Sequence, residues 1–186
     1  TSQPTERKAI MKTKNIRNRV REALIRELGN TTKTYPYRLL VQETSPHHFY
    51  LVYGFETGQG TQYEVFVQST KDGFIYTSFT ANQSYTHTVD EGTTFKAVAT
   101  VIRILSDLWQ DRYDILHNQL DPPVRKDVID ELEAFKFKLS GKGIKAAEDS
   151  SRFKLYRAFL ERQFPTATIH IKDRIVFVIP QPTSRP

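Results

Sequence analysis

"EDSSRFKLYRAFLERQF", residues 148–164, is the stretch whose reading decides the rest. Asp149, Ser150 and Ser151 are small capping residues ahead of an apolar run, and Phe164-Pro165 stops that run. Plotted at helical spacing, Phe153, Leu155, Tyr156, Phe159, Leu160 and Phe164 share one arc, and Lys154, Arg157 and Glu161 lie opposite. The spacing predicts a packed amphipathic helix. Arg152 falls on the apolar arc at the first turn. An unpaired charge there is too costly, so Arg152 needs a carboxylate such as Asp149, carbonyls, solvent or a bound anion. The structural partner is the favoured reading.

Working outward, "TATIHIKD" and "RIVFVIPQ" (166–181) follow the helix as two strands around Asp173, and "PTSRP" (182–186) is a tail. Before it, "EAFKFKLSG" (133–141) alternates Ala134/Phe135, Phe137 and Leu139 with lysines and reads as a strand, joined by the loop "KGIKAAE". A short helix is expected at 124–132, after a connection over 111–123 broken by Pro122-Pro123. "DEGTTFKAVATVIRILSDLWQ" (90–110) is a helix with Phe95, Val98, Val101, Ile102, Leu105, Leu108 and Trp109 on one face; Asp90, Thr93 or Thr94 caps it. Upstream lie four strand-like runs, 34–44, 47–57, 61–68 and 74–81, with a tight turn at Lys71-Asp72-Gly73. Residues 83–89 extend the fourth strand or add a fifth. The first 28 residues include a helix over 6–28, in which Ile16, Val20, Leu24 and Leu28 recur every four residues before Gly29-Asn30.

The fold class is therefore α+β: a basic N-terminal helix, an antiparallel four-stranded meander, a helix, then strand, helix and β-hairpin on a mixed sheet. Residues 1–30 form an arm, 31–181 a single domain and 182–186 a tail. A chain of 186 residues suits one core.

Hydrophobic residues make up 38% and charged residues 26%, which fits a soluble globular domain rather than a disordered one. The absence of cysteine excludes disulfides and Cys-ligated metals and fits a reducing compartment. No apolar run approaches the roughly 18 residues of a membrane helix. "TSQPTERK" has no apolar signal core and no Met, so removal of an initiator or further processing is expected. Net charge is +6, and its location is uneven. Residues 1–29 hold eight Lys/Arg against three Asp/Glu, and the rest of the chain nineteen against eighteen. The arm thus carries the field, through Lys12, Lys14, Arg17, Arg19, Arg21 and Arg26, either as a solvated helix or against nucleic acid, an acidic partner or an anionic surface.

Elsewhere the plain readings prevail. His47 and His48 are surface turn residues beside Pro46, and no metal-ligand set is evident. His170 alternates with Ile169 and Ile171 on the other sheet face. No serine has an evident base partner, and "SGKG" (140–143) lacks the phosphate-loop pattern. Asp72 and Glu64 could approach across strands. The strand aromatics read as core and half-buried tyrosine rather than a base-stacking platform, because 47–68 contains no Lys or Arg.

A meander, a helix, then strand–helix–hairpin resembles the C-terminal order of the GNAT (GCN-five-related N-acetyltransferase) fold. That family often carries N-x-x-A-x-x-L-Y at the start of its last major helix; here Asp149-x-x-Arg152-x-x-Leu155-Tyr156 occupies that place. The resemblance implies that Tyr156 would protonate a leaving thiolate in an active member, and that acetyl-CoA would be the cofactor. It also implies pyrophosphate binding at Gly92, Thr93, Thr94 and Lys96. This sequence departs from the family's [QR]-x-x-G-x-[GA] turn there, and it sets Asp90 and Glu91 where a dianion would lie. The chain is similar, more loosely, to uncharacterised phage-encoded proteins at Gly92, Thr93, Phe95, Ala99–Ile102, Arg152, Leu155 and Tyr156. The resulting expectation is a non-enzymatic, GNAT-like phage-type protein that needs no cofactor. Its arm would bind an assembly protein or nucleic acid, in a host cytoplasm or a virion. The alternatives are an acyl-CoA-dependent N-acyltransferase and an RNA or single-stranded DNA binder.

Overall fold

The structure, a computed structural model, describes residues 33–82, 91–138 and 151–181, without the side chains of residues 91–94, 151, 152 and 155. The predicted arm helix over 6–28, the 83–89 segment, Asp90, the end of the strand expected over 133–141, the loop expected after it, Asp149 and the tail lie outside the described residues.

Among the described residues seven strands form one open sheet: β1 (Arg38–Ser45), β2 (His48–Glu56), β3 (Gln62–Ser69), β4 (Phe74–Ala81), β5 (Ala134–Lys138), β6 (Thr168–Lys172) and β7 (Ile175–Ile179). Their order in the sheet is β1-β2-β3-β4-β5-β7-β6. All pairings are antiparallel except β4 with β5, which is parallel. The sequence-based expectation of an α+β chain with a four-stranded meander and a terminal hairpin is met.

Period-two alternation assigns the faces. Phe49, Leu51, Tyr53 and Phe55 on β2, Tyr63, Val65 and Val67 on β3, Phe135 and Phe137 on β5, and Val176 and Val178 on β7 are buried in one cluster. Two helices complete that cluster: α1 (Glu91–Gln110) and α3 (Ser151–Gln163). Both therefore lie on the same sheet face. On α1, Val98, Val101, Ile102, Leu105 and Leu108 of the expected face are buried, Phe95 and Trp109 are partly buried, and Ala97, Ala99 and Ile104 broaden the face. On α3, Phe153, Tyr156, Phe159 and Leu160 are buried and the Arg157–Glu161 ion pair, at 2.8 Å, faces water, as the helical spacing predicts. Each fully buried side chain of this size contributes roughly 1.5–3 kcal/mol.

The connection predicted over 111–123 is partly helical. After α1 the chain continues through a π-helical segment, Asp114–Gln119, which buries Leu116. The Leu116 carbonyl accepts a hydrogen bond from Val124 N–H at 2.9 Å, so the loop returns on the helix it leaves. A short α2 (Lys126–Asp130) leads into β5.

The lead-in to β1 straps across α1 rather than extending the strand, which begins at Arg38 instead of the expected residue 34. Tyr35 N–H donates to Thr100 Oγ1 at 2.9 Å, its ring stacks on Phe55 at 5.8 Å, and Tyr37 O–H donates to Asp107. Asp107 is also held by Arg103 at 2.8 Å. Burial, then Asp107, pushes the Tyr53 phenol up to about 12, and burial, then Tyr35, pushes Tyr63 up to about 12. Tyr37 is raised in the same direction, by burial and its bond to Asp107. A phenol with a raised folded-state pKa stabilises the fold below its unfolded value of 10.0, and that contribution is lost as pH rises through about 12. Alkaline unfolding is the expected outcome. Urea stability measured across pH 9 to 12 should fall steeply only above about 10.

Candidate functional site

Tyr156, which the sequence singled out, packs where β4 and β5 run side by side. Register is kept for three pairs only, Phe74↔Ala134, Ile75↔Phe135 and Tyr76↔Lys136. Among the described residues, β4 beyond Tyr76 continues through Ala81 paired with β3 alone, and β5 beyond Lys136 continues paired with β7 alone. The seam is thus bonded at one end and unbonded at the other.

A glycine sets the bonded end. Gly73 has a φ of +78°, and a Cβ there would stand 2.6 Å from the Glu131 carbonyl oxygen. The Gly73 carbonyl accepts from Glu133 N–H at 2.9 Å. The β3–β4 turn, predicted from Lys71-Asp72-Gly73, therefore also docks the strand that enters β5. Lys136 closes over the same corner, 3.7 Å from Asp72 and 4.8 Å from the Phe74 ring. Asp72 does not meet Glu64, which pairs with Gly54 and Thr80 along the sheet.

Tyr156 of α3 sits over the unbonded end. Its ring lies 6.4 Å from Phe79 on β4 and 5.5 Å from Phe137 on β5, and the residue is 7% exposed. One aromatic from each parting strand thus packs against Tyr156. The Thr77 and Thr80 side chains on β4 are buried, and their hydroxyls meet no hydrogen-bond partner among the described residues. A buried hydroxyl left so costs about 1–3 kcal/mol.

Gly92, Thr93 and Thr94 fall in the first turn of α1, and Arg152 in the first turn of α3, with side chains outside the description except for the glycine, which has none. Lys96 Nζ sits 4.1 Å over the Tyr35 ring, a cation–π contact that ties α1 to the strap before β1. Lys12, Lys14, Arg17, Arg19, Arg21 and Arg26 lie outside the described residues. The structure therefore brings Tyr156 to the β4–β5 seam and puts Lys96 on an aromatic ring.

One constellation escaped sequence reasoning. Ser69 Oγ and His48 Nδ1 are 2.8 Å apart, although no serine showed a base partner in the sequence. His48 is the first residue of β2 rather than part of the turn. Antiparallel pairing of β2 with β3 folds 21 positions of chain back to make the contact. Ser69 also accepts from Phe49 N–H at 3.0 Å and is buried, so it closes the strand end. His170 is exposed on the face opposite the helices, as its alternation predicts, and stacks on Phe177 at 5.0 Å.

Among the described residues no three His, Asp or Glu side chains gather to hold a metal ion, and no helix is long and apolar enough to cross a membrane. Set against known proteins, the chain matches no protein family, no curated protein and no solved structure.

Proposed function

We propose that this chain is a GNAT-like, phage-type domain in non-enzymatic use, which binds an anionic macromolecular partner through its basic N-terminal arm. The observation that carries the non-enzymatic reading is the enclosure of Tyr156. A general acid must reach the atom it protonates, and this phenol is packed against Phe79 and Phe137 with 7% exposure. The likeness to the GNAT fold is supported by the sheet order and by the one parallel pair among the described strands, whose pairing stops after three residues. The binding half rests on charge: eight Lys/Arg against three Asp/Glu in residues 1–29. Such a segment attracts phosphates or carboxylates with little sequence specificity.

The test compares the full chain with a chain starting at residue 31, titrated against single-stranded oligonucleotide, duplex oligonucleotide and polyglutamate. The full chain should bind at least one of these, and the truncated chain should lose about 100-fold or more in affinity. If six phosphates are contacted, log affinity should fall with log salt at a slope of about −4 to −5. Binding that survives truncation would move the site to the sheet aromatics and sink the arm.

A second reading, an acyl-CoA-dependent N-acyltransferase, is favoured by one observation. Among the described residues the Thr77 hydroxyl, on the helix-covered face of β4 where β5 has parted from it, is buried without a partner. A polar cofactor arm laid there would meet it. Acetyl-CoA at about 1,000 times a micromolar dissociation constant would stabilise the fold by about 4 kcal/mol and raise the melting temperature by several degrees. The non-enzymatic reading expects no shift.

A further inference from the structure

We infer that β1 is a self-association edge, and that a second copy of this chain pairs with it antiparallel about a two-fold axis near Leu40 and Val41. Residues Arg38 to Glu43 are exposed along the strand, and β1 bonds only to β2 among the described residues. Leu39, Leu40 and Val41 are 38%, 42% and 42% exposed, the large hydrophobics of the described chain that face water. Natural sheets blunt such edges with lysine, proline or short strands. The opposite edge follows that practice: β6 has five residues and exposes His170 and Lys172. β1 has eight residues, with neither lysine nor proline; it carries one bulge and two charges, and still leaves three consecutive apolar residues exposed.

A second copy is the occupant because the edge is self-complementary. Arg38 pairs with Gly54 and Glu43 with Tyr50, and these two β2 residues, four apart, share a face. Arg38 and Glu43 are five apart and would lie on opposite faces of a regular strand. The register shift between Leu39 and Val41 brings them to the same one. Val41, opposite Val52, is on that face too. So is Leu40, whose Cδ1 lies 2.4 Å from where a Gly54 Cβ would point. The face therefore reads cation, apolar, apolar, anion. Turned about a two-fold axis between the two apolar residues, it sets Arg38 of one copy against Glu43 of the other, twice, with Leu40 against Val41. Opposite charges placed so across strands attract, and like charges repel.

Sedimentation velocity on the full chain, from micromolar to millimolar concentration, reads the association. A dimer is expected for the natural sequence. Leu40→Lys should abolish it, and because Leu40 is already exposed the variant should keep its circular dichroism. Arg38→Glu should weaken association about tenfold, since two symmetry-related attractions become repulsions. The double variant Arg38→Glu/Glu43→Arg should restore it. A chain that stays monomeric throughout overturns the inference and leaves the edge to a strand of a different protein. So does a dimer indifferent to Leu40→Lys, or one that the charge exchange fails to rescue.

Discussion

Phe135→Ala should lower the unfolding free energy by about 3–5 kcal/mol, the range for a large aromatic removed from a packed core. Phe135 is fully buried, pairs with Ile75 on one side and Val178 on the other, and carries the rings of Trp109 at 5.5 Å and Phe164 at 5.8 Å. It is thus where the parallel seam, the end of α1 and the end of α3 meet. Truncation leaves a cavity whose walls belong to three elements, so no single one can collapse into it. A domain of this size has about 5–15 kcal/mol in total, so the variant would be marginal. Phe177 on the opposite face is the control. It is half-buried and touches Phe74 at 5.8 Å and His170 at 5.0 Å. Its truncation should cost about 1–2 kcal/mol. Urea unfolding of the two variants decides the matter; equal losses would mean that the helix-covered face is not the main core.

Gly73→Ala should cost about 3 kcal/mol, part from backbone strain and part from overlap. The φ of +78° is one that side chains rarely adopt, and the atom a Cβ would meet at 2.6 Å is a backbone oxygen, Glu131 O. That oxygen cannot swing aside, because Gly73 O also anchors Glu133 N–H at 2.9 Å. Gly60→Ala separates the two contributions. Gly60 shares the positive φ, at +81°, but its nearest atom is the flexible Glu56 Oε1 at 3.8 Å. It should cost only the strain, about 1 kcal/mol. Similar losses at both sites would show that the turn does not hold the entry to β5. A larger loss at Gly73, with hydrogen exchange rising first in β5, would show that it does.

The legible parts of this chain are those whose signal is local. Periodicity placed α1, α3 and the strands within a few residues, and on α3 it chose the buried Phe153, Tyr156, Phe159 and Leu160. Lys71-Asp72-Gly73 announced its turn. The misses have physical reasons. In the sequence, residues 114–119 look like plain connection, because Pro122-Pro123 is a loop signal and a π-helical segment has no 3.6-residue period. The His48–Ser69 contact depends on strand register, which neither residue announces. Lys96, a phosphate-binding candidate by resemblance, lies over Tyr35 because the strap before β1 crosses α1. For Tyr156 the wheel gave a buried arc, while the choice between a core and a cleft depended on what Phe79 and Phe137 do.

By itself the sequence determined the element order, the apolar face of each element and the concentration of charge in the first 29 residues, because each is a property of neighbouring residues. The tertiary structure alone decided the strand order, the parallel seam that loses its register after three pairs, the aromatic enclosure of Tyr156 and the bulge that brings Arg38 and Glu43 to one face. The reason is that a strand's pattern says which side faces the core, but not which strand lies beside it or in what register. Those depend on contacts between residues tens of positions apart, and a shift of one residue reverses every side chain beyond it.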